Sequence, residues 1–129
     1  MQATFQTSIE PWLTINATEK ALAFYKNAFG AVETYRFVDP GGGLVVRLSI
    51  NGTQFWVSGD GNENEGTNSS PLGGDNMRMI LIVNNPENIF KKAIEEGAKE
   101  VFPVGEEHGW KLGRICDPFG LHWEIGYEL

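Results

Sequence analysis

Residues 80–97 read Ile80-Leu81-Ile82-Val83-Asn84-Asn85-Pro86-Glu87-Asn88-Ile89-Phe90-Lys91-Lys92-Ala93-Ile94-Glu95-Glu96-Gly97. The apolar run that ends at Asn84 predicts a short strand. Asn85-Pro86-Glu87 has the form of a helix start: an N-cap, a first-turn proline and an acid at the positive end of the dipole. Ile89, Phe90, Ala93 and Ile94 then fall on one side of a helix that Gly97 stops. The same pattern stands 68 positions earlier. Trp12 to Asn16 is a short apolar run, and Ala21, Leu22, Phe24, Tyr25, Ala28 and Phe29 form a helical stripe closed by Gly30. The offset persists to the far end of each half, where Gly52 maps onto Gly120, Phe55 onto Trp123 and Trp56 onto Glu124. One register kept across a helix and a later strand predicts an internal duplication.

Each half reads as strand, helix, then strands. The first has a strand at 11–15, a helix at 18–29, a strand at 33–38 and a hairpin of 44–50 with 53–58 around Asn51-Gly52. The second has 78–83, a helix at 86–96, a strand at 99–102, then 111–116 and 121–127 joined by Asp117-Pro118-Phe119-Gly120. Residues 59–76 are rich in Gly, Asn, Ser and Glu without an apolar period, and are expected to link the halves. At 129 residues the chain is expected to form one domain, built of module 1 at 8–58 and module 2 at 77–129.

Composition narrows the function. A hydrophobic fraction of 41% and a charged fraction of 21% are ordinary for a globular protein. Seventeen acidic against ten basic residues leave a net charge of −7, which argues against a nucleic-acid partner and favours cationic or neutral small ligands. The single cysteine, Cys116, excludes an internal disulfide and reads as an inert thiol. No apolar run is long enough for a membrane span, and Met1-Gln2-Ala3-Thr4 lacks the pattern of a secretory signal, so a cytoplasmic protein without a membrane partner is expected. Aromatics reach 12%, with four tryptophans, enough to line a pocket as well as a core.

Strand parity sorts the candidates. In the last strand Leu121, Trp123 and Ile125 should face the helices, leaving His122, Glu124 and Gly126 opposite. Phe55 and Val57 likewise face inward, with Gln54, Trp56 and Ser58 opposite. Leu13 and Ile15 of the first strand leave Glu10, Trp12 and Thr14 on the other side, and the offset carries Glu10 onto Arg78. Two repeats that bury one face under helices present their other faces to a shared concavity.

These residues carry a family resemblance. Pro11-Trp12-Leu13, Ala23-Phe24-Tyr25 and Phe29-Gly30-Ala31, with the unbroken closing run from Gly109 to Glu124 around Asp117-Pro118-Phe119-Gly120, resemble the vicinal oxygen chelate superfamily. That group includes glyoxalase I, extradiol dioxygenases, fosfomycin-resistance enzymes and bleomycin-resistance proteins. The resemblance implies an α+β fold in which two βαβββ modules form a cupped mixed sheet with the helices on its outer face. It also implies a homodimer, since family members close the cup by pairing modules across a two-fold, and open strand edges need covering. In metal-using members the ligands come from the first and last strand of each module, slots that fall here on Glu10, Trp56, Arg78 and Glu124. A divalent metal wants His and carboxylate there. Trp does not ligate, and Arg brings a positive charge to the place of a cation.

No metal cofactor is therefore expected, with Arg78 taking the metal's electrostatic place between Glu10 and Glu124. The alternative is a residual divalent site made of Glu10, His122 and Glu124. The first functional reading is a protein that binds a small cationic or aromatic ligand through Trp12, Gln54, Trp56, His122 and Trp110, the last beside a flexible 105–109 loop at the cavity mouth. The other readings are enzymes of the glyoxalase/dioxygenase superfamily, of lyase, isomerase or oxygenase type. One is metal-free, with Glu10 or Glu124 as general base and Arg78 polarising an oxyanion. The other uses a metal as Lewis acid.

Overall fold

The computed structural model describes residues 4–60 and 76–129, so the expected linker, apart from its ends, lies outside the described residues. Module 1 consists of β1 (Trp12–Thr14), α1 (Thr18–Phe29), β2 (Val32–Val38), β3 (Leu44–Ile50) and β4 (Thr53–Gly59). Module 2 consists of β5 (Met79–Ile82), α2 (Pro86–Glu95), β6 (Lys99–Glu107), β7 (Trp110–Cys116) and β8 (His122–Glu128). The strands form two four-stranded sheets, ordered β1-β4-β3-β2 and β5-β8-β7-β6. In each, one strand runs parallel to the last of its module and the other pairs are antiparallel. This is an α+β fold of two βαβββ modules.

The repeat is visible in the hydrogen-bond register. Trp12 lies opposite Trp56 and Leu13 opposite Val57, just as Ile80 lies opposite Glu124 and Leu81 opposite Ile125. The hairpins differ by one residue. Ser49 pairs with Gln54 around a tight turn whose Asn51 and Gly52 take left-handed φ of 50° and 96°, whereas Cys116 pairs with His122 across five intervening residues. Confining that insertion to a turn preserves the alternation of the strands on either side.

The helix-side face is the core. Leu13, Ile15, Leu48, Phe55, Val57, Ile115, Leu121, Trp123 and Ile125 are buried beneath the apolar stripes of the helices. α1 ends where Gly30 adopts a φ of 72° and returns its N–H to the Lys26 carbonyl. The open face holds three buried exceptions, Ser49, Ser58 and Gly126. At Gly126 the neighbouring strand comes so close that a Cβ would stand 1.9 Å from the Lys111 carbonyl oxygen.

The modules share their cores. Trp123 of β8 packs against Tyr25 and Phe29 of α1, with ring centroids 5.5 and 4.7 Å away, and against Phe55 at 5.8 Å. The turn before β8 adds a polar tie. Asp117 accepts hydrogen bonds from the Tyr25 hydroxyl (2.6 Å), Trp123 Nε1 (3.0 Å) and the backbone N–H groups of Phe119 and Leu121. Burial pushes the Asp117 carboxyl above its ordinary pKa, against the pull of those four donors.

One local expectation fails. β6 extends to Glu107, well past the expected 99–102, so the 105–109 stretch is not a flexible loop. His108 and Gly109, at φ of 54° and 82°, make a two-residue hairpin turn that returns the chain directly into β7. Pro103 sits on the edge strand of its sheet, within the register irregularity between Phe102 and Gly105 that absorbs it. No helix among the described residues is long and apolar enough to cross a membrane.

Candidate functional site

A row of side chains crosses the open face of each sheet, one residue per strand. In module 1 the row is Trp12, Trp56, Arg47 and Tyr35. In module 2 it is Ile80, Glu124, Arg114 and Phe102. Both place an apolar residue at one edge, an arginine third and an aromatic ring at the far edge. They differ in the second place, where a tryptophan answers to a glutamate.

In module 1 the Trp12 and Trp56 rings stack with centroids 5.7 Å apart and 21° between planes. The Arg47 guanidinium lies 5.3 Å from the Trp56 ring and Tyr35 meets it edge-on at 5.6 Å. Trp56 is thus flanked from the strands on either side, while Trp12, 53% exposed, is the more open ring of the pair. Glu10 sits beside the stack. Its Oε1 accepts from Trp56 Nε1 at 2.9 Å and its Oε2 from Gln54 Nε2 at 3.3 Å.

In module 2 Arg78 Nε stands 3.3 Å from Glu124 Oε1, the carboxylate side chain being 13% exposed and the guanidinium 41%. The repeat equates Glu10 with Arg78 and Trp56 with Glu124, so the carboxylate and its N–H partner have exchanged strands between the modules. Arg114 Nε lies 3.0 Å from His122 Nδ1. A guanidinium only donates, so that nitrogen carries the lone pair and the imidazole proton sits on Nε2.

The expected trio of Glu10, Arg78 and Glu124 therefore divides. Arg78 and Glu124 form an ion pair, while Glu10 is held by Trp56 and Gln54. Glu10 and Gln54 line a cleft of about 760 Å³ between the modules, bounded by the β3–β4 turn, Phe29, β5 and Asn84-Asn85. Glu124 and Trp110 line a groove of about 470 Å³ on module 2, with Ile80, Phe102 and Leu112. Ile80, the counterpart of Trp12, borders both cavities. The groove also has Glu106, Glu107 and His108 at its margin; among the described residues that line the cleft, Glu10 alone is charged. Among the described residues, neither lining includes a lysine or arginine.

Tyr35, Arg47, Ile80, Phe102, Leu112 and Arg114 escaped the sequence reading. Arg47 was legible, because a hairpin closed at Asn51-Gly52 sets it opposite Trp56. Leu112 depended on the true length of β6, whose Gly105 lies opposite it.

The donor set does not fit a divalent cation. A guanidinium occupies the side of Glu124, and His122 would need its lone pair on Nε2 with a proton on the nitrogen that Arg114 already addresses. Among the described residues no group of three or more His, Cys, Asp or Glu side chains is placed to hold a metal.

Comparison with known proteins agrees with this architecture. The family described as Glyoxalase/Bleomycin resistance protein/Dioxygenase superfamily matches residues 7–125. The chain belongs to this superfamily. Uncharacterized protein Rv0887c of Mycobacterium tuberculosis is 31% identical over 134 residues, covering 100% of this chain and 79% of that protein. The crystal structure of the Arabidopsis thaliana gene product At5g48480 is 27% identical, with a TM-score of 0.69 over 95% of this chain and 100% of that one. The fosfomycin resistance protein FosX of Listeria monocytogenes, solved with Mn(II) and sulfate, has a TM-score of 0.72 at 12% identity, covering 98% of this chain and 95% of that one. FosX shares the superfamily fold.

Proposed function

We propose that this superfamily member is a small-molecule-binding protein that takes a flat cationic ligand without a divalent metal and works as a homodimer in the cytoplasm. The observation that carries the reading is the lining of the two cavities: apolar and aromatic walls with Glu10 in one and Glu106, Glu107 and the Arg78-paired Glu124 in the other, and no lysine or arginine among the described lining residues. A flat cation gains twice in such a place, from ring contact with Trp110 and Phe102 and from the carboxylates. The dimer is supported by exposed Trp12, Ile80 and Ile82 on the open faces and by β1 and β5, each the edge of its sheet.

The test is a titration of tryptophan fluorescence with N-methylquinolinium, run alongside neutral quinoline at pH 8. Quenching by the cation is expected, with the neutral ring bound about tenfold more weakly. Trp110→Ala should weaken cation binding by about tenfold or more, and a chelator should change nothing. Equal affinity for the two rings, or binding lost to chelator and restored by manganese, overturns the reading.

A further inference from the structure

The open face of module 1 holds an arrangement that the cavity lining alone does not explain. β2 carries a register irregularity between Glu33 and Tyr35. Glu33 and Arg36 both turn to the helix side, where they meet Lys26 and Glu19 of α1. Two consecutive residues, Thr34 and Tyr35, consequently share the open face, where regular alternation would allow one. Tyr35 reaches the Trp56 ring and Thr34 reaches Arg47 and Gln54. Bulges re-aim side chains in this way beside binding sites.

The bonds Thr34 makes run in one direction. Arg47 Nε donates to Thr34 Oγ1 at 2.9 Å, and a guanidinium has no other option. The hydroxyl proton then has two acceptors, Gln54 Oε1 at 3.1 Å and the Arg47 carbonyl at 3.4 Å, of which the amide is nearer. With its oxygen so engaged, the Gln54 amide turns its nitrogen to Glu10 Oε2. Glu10, an acceptor only, closes the run, and Trp56 donates to its other oxygen. A cation at one end and a carboxylate at the other settle every orientation between them, and such runs polarise along their length. Each Glu10 oxygen receives one N–H and keeps a lone pair for a ligand, on the wall of the cleft that Gln54 also lines.

We propose that Arg47, Thr34 and Gln54 are positioning residues that hold the Glu10 carboxylate ready to receive a cationic or N–H-donating group of a ligand in the cleft. The receiving role rests on the ligand reading above; the positioning does not. Both can be measured on the full chain. The Trp56 indole N–H, assigned in nitrogen–proton correlation spectra with Trp56→Phe, reports how firmly Glu10 is held. Thr34→Val, which keeps the β-branched shape, should speed exchange of that proton with water about threefold or more, and Thr34→Ser should restore it. An exchange rate untouched by Thr34→Val overturns the positioning. For the receiving role the probe is again N-methylquinolinium. Glu10→Gln should weaken it about tenfold and Thr34→Val about threefold, with no further loss when the two are combined. An affinity untouched by Glu10→Gln overturns the receiving role, whatever the exchange rate shows. Losses that simply multiply in the double variant overturn the route through Glu10.

Discussion

The two modules invite comparison residue by residue. On the helix side their equivalent positions keep one chemistry: Leu13 and Leu81, Phe55 and Trp123, and Val57 and Ile125 are all buried and apolar. On the open side Glu10 answers to Arg78, Trp12 to Ile80 and Trp56 to Glu124. The scaffold constrains one face of every strand and leaves the other to vary, because alternation separates packing from recognition at single-residue resolution. Both open faces still keep an N–H donor against a carboxylate, by different residue pairs.

The largest test of that division uses the two tryptophans on opposite sides. Trp123→Ala removes a buried ring and should cost about 3–5 kcal/mol in urea unfolding. Trp12→Ala, on the open face, should cost less than about 1 kcal/mol. Similar losses would break the comparison.

A smaller effect concerns the tie that only one turn makes. Tyr25→Phe deletes a buried hydrogen bond to Asp117 and should cost about 1–2 kcal/mol at neutral pH. Burial, and after it the Asp117 carboxylate, hold the Tyr25 hydroxyl well above its ordinary pKa of 10.0. The folded protein therefore keeps a proton that the unfolded chain loses, and stability should fall as pH rises beyond that value. Unfolding curves at pH 9 and 11 should show a fall that is shallower in Tyr25→Phe. An unchanged slope would remove Tyr25 as its source.

The smallest effect lies on exposed ground in module 1. The Arg36 hydrogen bond, with Lys26 adding to it against the effect of burial, lowers Glu33 from 4.5 to about 2. Its contribution should be present above pH 4.5 and fade as pH falls towards 2, and Glu33→Gln should flatten that limb of the acid unfolding curve. With Glu33 and Arg36 partly solvated, less than about 1 kcal/mol is involved.

Much of this was legible in the sequence, and for physical reasons. The offset between Trp12 and Ile80 carried the module order, and strand alternation placed Trp123 inward and Glu124 outward, as the register has them. Apolar periodicity reports burial, which is what the scaffold demands. Geometry that departs from periodicity was not legible. The bulge that turns Thr34 to the open face leaves no mark in the apolar pattern, and neither does the full length of β6. The Asp117 turn was expected, but its reach to Tyr25 joins residues 92 positions apart, and no local rule reports that. Arg78 was paired with Glu124, whereas Glu10 belongs to its own module's indole and amide.

That 92-residue span also bears on the order of assembly. As the chain leaves the ribosome, α1 emerges with the face of Tyr25 and Phe29 that Trp123 will cover, yet the covering strand β8 is made well after it. The first module can close its sheet alone but waits for the second to finish its helix packing. Newly made chains thus pass through an interval in which an aromatic surface has no partner, the state most exposed to misassembly. The two modules complete their shared core only when β8 arrives.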